Sequence, residues 1–457
     1  MSAFTDLIVL LPGITGSVLT DIGGKDIWAP SISTIWRSIT ASATAINSLA
    51  LTGGPEDDAV QATALVSDVT IVPGFVKIHG YTRIADYLVS ELGLEPGANF
   101  HEFPYDWRRD NRLNARRLRE QASAWLETWR ATSGHQNARL VLIGHSMGGL
   151  VARYFFECLE GWRDTRLLLT LGTPHSGSLN ALGFLEHGMK KSIGPLGIDL
   201  GPALRSMPSV YQLLPSYRCI AIDSGPLLHV HEAAAKGVLM HVDAARALDA
   251  KSFHAEIAAA AEANKAQEGY PEMSSVLVPF VGIDQPTFQS ALLNASGLRL
   301  VERLDTEDSG GDGTVPRVSA VPPGWNEMRI VYAGETHGAL QNADGTLVNL
   351  KGLLTAHNVD LRKFFSATMP ASLSLRVDDV VAPGEMLEVR ACRSGGDDEI
   401  FAEATQLGSG EKVSDRLYRD GDSGWQRGRF DLAPGLWQIR VHSKGAEPVH
   451  EIVVVAQ

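Results

Sequence analysis

The chain predicts an α/β domain followed by a small all-β domain, and three observations carry that prediction. Residues 1–366 alternate short apolar runs with long amphipathic stretches. Residues 371–457 alternate apolar with polar positions between Gly- and Pro-bearing turns. A glycine-flanked serine, Ser146, sits between an apolar run and an amphipathic one. Together they place a first domain at 1–368, interrupted by insertions at about 17–77 and 178–273, and an immunoglobulin-like β-sandwich at 371–457.

The apolar runs at 7–11, 140–143, 167–171, 276–280 and 328–332 are short and almost free of polar residues, as strands buried on both faces are. Between them, Ile84, Tyr87, Leu88 and Leu92 form one apolar stripe at helical spacing. Leu118, Ala122, Trp125 and Trp129 form another. Strands alternating with helices imply a mostly parallel sheet covered on both sides. The first insertion carries Trp28, Trp36 and an apolar stretch that runs to Leu51. The second holds several Gly and Pro residues and an Ala-rich helix around 258–263. Insertions of this length in an α/β scaffold usually lie over the ligand face.

The final stretch has no good helix. Strands are predicted at 373–377, 387–391, 437–441 and 452–454, with turns at Ala382-Pro383-Gly384, 408–410, 421–424 and Ala433-Pro434-Gly435. The break between the domains falls near Ala367-Thr368-Met369-Pro370.

With 457 residues, the chain has room for two or three domains. It is 44% hydrophobic and 20% charged, the balance of a globular protein and not of a disordered one. A net charge of −13 argues against nucleic acid as the main partner, because phosphate binding needs clustered Lys and Arg. A membrane surface stays open, since a local patch can oppose the net charge. Three cysteines, Cys158, Cys219 and Cys392, suit a reducing compartment and cannot build a disulfide framework or a cysteine zinc site. No metal or cofactor is expected. The N-terminal residues lack a charged leader, and the first apolar run stops at Pro12-Gly13, so a soluble, cytoplasmic protein is expected.

The chemistry centres on Gly144-His145-Ser146-Met147-Gly148, which fits G-x-S-x-G. That pattern is weak alone, and its context decides. A predicted strand leads into it and a predicted helix leads out. The flanking glycines permit the sharp turn that holds the serine oxygen at the sheet edge. A serine hydroxyl needs a base, and the base needs an orienting carboxylate. Downstream, Gly310-Gly311-Asp312-Gly313 offers the acid and Thr336-His337-Gly338 offers the base, in the chain order Ser, Asp, His. Asp305, Glu307 and Asp308 are rivals for the acid, and His357 for the base. Two backbone N–H groups are needed for the oxyanion. Met147, after the nucleophile, and Ile14, in the loop after the first strand, are the expected donors.

These motifs resemble the lecithin:cholesterol acyltransferase and lysosomal phospholipase A2 family, within the α/β-hydrolase superfamily. The resemblance rests on Leu11-Pro12-Gly13, Asp26-Ile27-Trp28, Pro104-Tyr105-Asp106-Trp107-Arg108, Gly144 to Gly148, Leu171-Gly172-Thr173-Pro174, Gly311 to Val315 and Thr336-His337-Gly338. The Pro-Tyr-Asp-Trp-Arg run is the most specific of them. The resemblance implies an α/β-hydrolase fold with cap and lid insertions. It also implies a triad of Ser146, Asp312 and His337 and oxyanion donors at Ile14 and Met147. Further, it implies acyl transfer from a phospholipid to water or an alcohol, and membrane contact through the insertion that holds Trp28 and Trp36. The chain departs from the family in lacking a cysteine in the first insertion and in carrying the C-terminal β domain.

The expected function is therefore that of a serine lipid esterase acting on phospholipid at a membrane surface. Its activity is expected to be gated by membrane or by a regulatory or immunity protein bound through the β domain. A soluble carboxylesterase or neutral-lipid lipase is the alternative, and a catalytically inactive lipid- or protein-binding module is an alternative of another class.

Overall fold

The structure is a computed structural model. It describes residues 4–29, 49–51, 59–67, 70–72, 76–188, 190–193, 196–223, 225–271, 273–325, 329–355, 371–395, 398–421 and 424–456. Trp36, His357 and the expected inter-domain break near 367–370 lie outside the described residues.

Six strands build the central sheet: β1 (Leu7–Leu11), β2 (Phe100–Glu102), β3 (Leu140–His145), β4 (Thr165–Leu171), β5 (Leu277–Gly282) and β6 (Val331–Ala333). Their spatial order is β6-β5-β4-β3-β1-β2, and every neighbouring pair is parallel. The chain leaves β1 toward one edge and returns to build the other from β3 onward. The order therefore reverses between β1 and β3, and their C-terminal loops diverge into a crevice, the usual ligand position in such sheets.

The helices that cover the sheet include α1 (Thr82–Leu92), α2 (Asn111–Ser133), α3 (Met147–Cys158) and α6 (Asp344–Thr355), while α4 (Leu179–His187) and α5 (Ala244–Asn264) belong to the second insertion. Strand side chains alternate between faces, so each apolar run feeds two cores. Leu7, Val9, Leu11, Leu140 and Leu142 pack with Leu118, Ala122, Leu150 and Val151 of α2 and α3. Ile8, Leu10, Val141 and Ile143 pack with Ile84, Leu88, Leu347 and Leu350 of α1 and α6.

In the first insertion, Ser17–Asp21 is the middle strand of an antiparallel sheet with Asp26–Trp28 and Val60–Leu65. In the second, the Ala-rich helix is longer than its alanine run and extends through all of α5. It lies on the α2 and α3 layer. Phe253 stacks on Tyr154 with ring centroids 5.5 Å apart, and Glu256 meets Arg112 at 2.8 Å. It is α4, earlier in the same insertion, that reaches the edge of the crevice.

The C-terminal region is antiparallel β. β7 (Leu373–Val377), β8 (Leu387–Arg393) and β11 (Gln426–Phe430) form one sheet, edged by Tyr418–Arg419. The second contains β9 (Ile400–Gln406), β10 (Lys412–Arg416), β12 (Gly435–Ser443) and β13 (Val449–Val455), edged by Val380–Val381. Leu375, Val389 and Phe430 of one sheet share a core with Ala402, Trp437 and Val453 of the other. β9, β10 and β11 escape a hydropathy reading because Ala and charged residues carry much of their alternation.

Candidate active site

Ser146 follows β3 and precedes α3, with φ 52° and ψ −125°. A non-glycine residue at positive φ is strained, and here the strain turns the hydroxyl out of the sheet edge. Its own N–H is held by the Leu171 carbonyl at 2.8 Å. The elbow closes only because its neighbours lack side chains. A Cβ on Gly144 would lie 2.6 Å from the Gly149 backbone, and one on Gly148 would lie 2.4 Å from the Pro12 carbonyl oxygen.

His337, in the loop after β6, brings Nε2 to 2.9 Å from Ser146 Oγ, across 191 residues of chain. Its Nδ1 is 2.7 Å from Asp312 Oδ2. Asp312 is 1% exposed, and its other oxygen accepts the N–H groups of Thr314 at 2.9 Å and Val315 at 2.7 Å. The glycine loop thus fixes the carboxylate and leaves one oxygen for the imidazole. The rivals Asp305, Glu307 and Asp308 are all exposed, and Asp308 is taken up by Gln289 and the Gly310 N–H.

The loop after β1 comes so close to Ser146 that a Cβ on Gly13 would sit 2.9 Å from the serine Cβ. Ile14 borders the same cavity as Ser146. Met147 opens α3, and the first-turn N–H groups of a helix have no intrahelical acceptor. Both expected oxyanion donors therefore lie beside the serine.

Four aromatic side chains brace this loop. Tyr105 donates to the Pro12 carbonyl at 2.7 Å, Trp107 to Ser17 O at 3.2 Å and Trp28 to Thr15 O at 2.9 Å. The fourth is Tyr81, whose hydroxyl accepts the Gly13 N–H at 2.7 Å. Trp28 is partly buried, edge-on to Trp107 with centroids 5.5 Å apart.

Tyr81 also links the loop, through His145, to His337. Its proton goes to His145 Nδ1 at 2.8 Å, which leaves His145 protonated on Nε2 and donating to the His337 carbonyl at 3.1 Å. Burial, and then repulsion from His337, pushes His145 down to about 3, so this imidazole stays neutral. Burial likewise pushes the Tyr81 phenol up. Tyr81 carries no motif of its own. The only trace in the sequence is its place just before the first amphipathic helix.

The site opens into a cavity of about 750 Å³. Ile14, Phe184, Val210, Leu213, Phe288 and Leu300 give it apolar walls, while Arg376, Asp378, Glu388 and Arg390 of the C-terminal region border it. Among the described residues, no group of three His, Cys, Asp or Glu is arranged to hold a metal, and no helix is long and apolar enough to cross a membrane.

Residues 70–240 match the family model for lecithin:cholesterol acyltransferase. The chain resembles the lecithin:cholesterol acyltransferase family. The matched segment contains Tyr81, the buried Asp106–Arg108 pair and the Ser146 elbow, while Ile14, Asp312 and His337 lie outside it. Over 183 residues the chain is 30% identical to an uncharacterized protein of Saccharomyces cerevisiae. That alignment takes in 40% of this chain and 25% of the yeast protein, so the chain spans about a quarter of its curated relative. Among solved structures, it is similar to phospholipase PlaB from Legionella pneumophila, at 13% identity and a TM-score of 0.38, covering 99% of this chain and 89% of that one. It is also similar to the mature lipase BlEst2 of Bacillus licheniformis, at 12% identity and a TM-score of 0.28, covering 77% and 93%.

Proposed function

We propose that this protein is a serine-dependent lipid ester hydrolase or acyltransferase that works on phospholipid acyl esters through an acyl-enzyme. The observation that carries the proposal is the unbroken hydrogen-bond chain from Ser146 through His337 to Asp312 at the wall of an apolar cavity. The lecithin:cholesterol acyltransferase match supports a lipid ester as substrate.

In this reading the acyl chain lies along Phe184, Val210, Leu213 and Leu300, and the polar headgroup lies toward Arg376 and Glu388. Ser146 Oγ attacks the ester carbonyl as its proton passes to His337 Nε2. The oxyanion takes hydrogen bonds from Ile14 N–H and Met147 N–H, donors that cost no reorganisation when charge develops. His337 returns the proton to the departing alkoxide. Water or an alcohol then gives its proton to His337, attacks the acyl-enzyme and releases the acid or the new ester, with the proton going back to Ser146. Asp312 keeps Nε2 of His337 as the acceptor and stabilises the imidazolium. Membrane association is peripheral in this reading, and α4 is the segment placed to gate the cavity.

The test is incubation of the purified chain with mixed phospholipid liposomes, with products read by mass spectrometry. A Ser146→Ala variant runs in parallel. Released fatty acid or a new acyl ester is expected from the wild type, with turnover at least ~10⁴-fold lower in the variant. Cleavage of short soluble esters with intact phospholipid would favour a carboxylesterase. Equal activity in the variant would refute the nucleophile.

A further inference from the structure

The two loops that carry the acid and the base are both fastened to the C-terminal β region. Glu335, two residues before His337, is 4% exposed. Its Oε1 accepts the N–H of Thr336 at 2.9 Å and the N–H of His450, on β13, at 2.8 Å. Its Oε2 accepts from His450 Nδ1 at 2.9 Å. Thr336 completes the clamp by donating its hydroxyl to the His450 carbonyl at 2.7 Å. The acid loop is held in a parallel fashion. Gln285, 2% exposed, takes the Leu375 N–H at 3.0 Å and donates to the Leu373 carbonyl at 2.8 Å. Its own N–H reaches the Gly311 carbonyl, beside Asp312, at 2.9 Å.

A domain that merely covered an apolar face would have no need of this pattern. A buried carboxylate is costly unless its oxygens are satisfied, and two of the three donors to Glu335 come from the β region. The bonds run to the backbone and side chain of His450, which pairs with Arg440 of β12 near the start of β13. They end within two residues of the base and one of the acid. The His337 N–H in turn meets the Asp312 carbonyl at 2.8 Å, so the two clamped loops are tied to each other.

We propose that Glu335 is a positioning residue through which β13 of the C-terminal β region holds His337 in register with Ser146, with Gln285 doing the same for Asp312. The proposal rests on the reading of Ser146, Asp312 and His337 as the triad. Catalysis depends steeply on such register, because a displacement of about 1 Å at the base can cost about 100-fold in rate. The C-terminal region is then part of the catalytic apparatus and not an appended recognition module.

The test uses the full chain with Glu335→Ala, Glu335→Gln, Thr336→Val and His450→Ala. Three quantities are measured: the rate of Ser146 labelling by a fluorophosphonate, kcat and KM on a short soluble ester, and the thermal midpoint. Glu335→Ala is expected to lower labelling and kcat by about 100-fold with KM little changed. Glu335→Gln keeps an acceptor for the two N–H groups and offers an N–H₂ to His450, so it is expected to recover most of the rate. Thr336→Val and His450→Ala, which each remove one bond, should each cost about tenfold in labelling and kcat in a chain that still folds, with a modestly lower midpoint. These two carry the test if Glu335→Ala does not fold. Wild-type labelling and kcat in Thr336→Val and His450→Ala, or a loss confined to KM, overturns the clamp. A Glu335→Gln variant as slow as Glu335→Ala also overturns it. A wild type that is never labelled would instead refute the triad reading itself, so the two failures are distinct.

Discussion

Tyr81→Phe removes a single oxygen and should damage both stability and catalysis. That oxygen accepts the Gly13 N–H at 2.7 Å and donates to His145 Nδ1 at 2.8 Å, and Tyr81 is fully buried. Phenylalanine fills the same space, so no cavity term enters. What remains is two buried polar groups without partners, at about 1–3 kcal/mol each, or roughly 2–6 kcal/mol of lost stability. The catalytic loss has a ceiling. Removing a whole oxyanion donor costs about 10²- to 10³-fold. Tyr81 acts one residue from Ile14 and shifts its N–H without deleting it, so a fall in kcat of about 10- to 100-fold is expected. KM for a short ester should stay close to wild type, since Tyr81 holds the loop and not the substrate. Urea denaturation gives the first quantity, and steady-state hydrolysis of a soluble p-nitrophenyl ester gives the second. Tyr105→Phe is the control, because it frees only the Pro12 carbonyl, and should cost less in both. A Tyr81→Phe enzyme with wild-type kcat and wild-type urea midpoint would refute the argument that this hydroxyl couples the loop to the base.

Asp312→Asn should fold, because the Thr314 and Val315 N–H groups can still find an oxygen, yet lose about 10⁴-fold in kcat as His337 loses its tautomer and its counter-charge. Far-UV dichroism with single-turnover kinetics checks both halves. Gly148→Ala would set a methyl 2.4 Å from the Pro12 carbonyl, and overpacking against backbone costs about 1–3 kcal/mol, so a lower thermal midpoint and a slower enzyme are expected together. Acid should destabilise the fold through buried imidazoles. Burial pushes His145 down to about 3 and His254 down to about 4. The unfolded chain, with ordinary histidines near 6.5, takes up protons that the native state refuses. Their contribution is therefore complete above the unfolded pKa and is lost as pH falls toward the folded values. Each should contribute about 2 kcal/mol less at pH 5 than at pH 7.5, and a urea midpoint that does not move between those two values would count against it.

Local sequence was enough for much of this protein. The apolar runs at 7–11, 140–143 and 167–171, and that at 276–280 from Leu277 onward, are strands because residues buried on both faces must be apolar throughout, and nothing distant alters that demand. The sharp turn at Ser146 was legible for a similar reason, since the glycines on either side answer a steric need within a few residues. The last central strand was less so. It spans Val331–Ala333 and leaves out Arg329 and Ile330, for a three-residue edge strand leaves little periodicity to read. The glycine loop and the family resemblance point to Asp312, and tertiary structure brings it to His337. Asp305, Glu307, Asp308 and Asp312 share one short polar stretch, and of these Asp312 is the one buried beside Gly172 and Gly282. Tertiary structure also decided the partners of Tyr81, which reaches His145 across 64 residues, and of Glu335, which reaches His450 across 115. Hydrogen bonds between side chains so far apart leave no period and no composition in the sequence. They depend on where the sheet brings its loops, and that is settled only when the whole core packs.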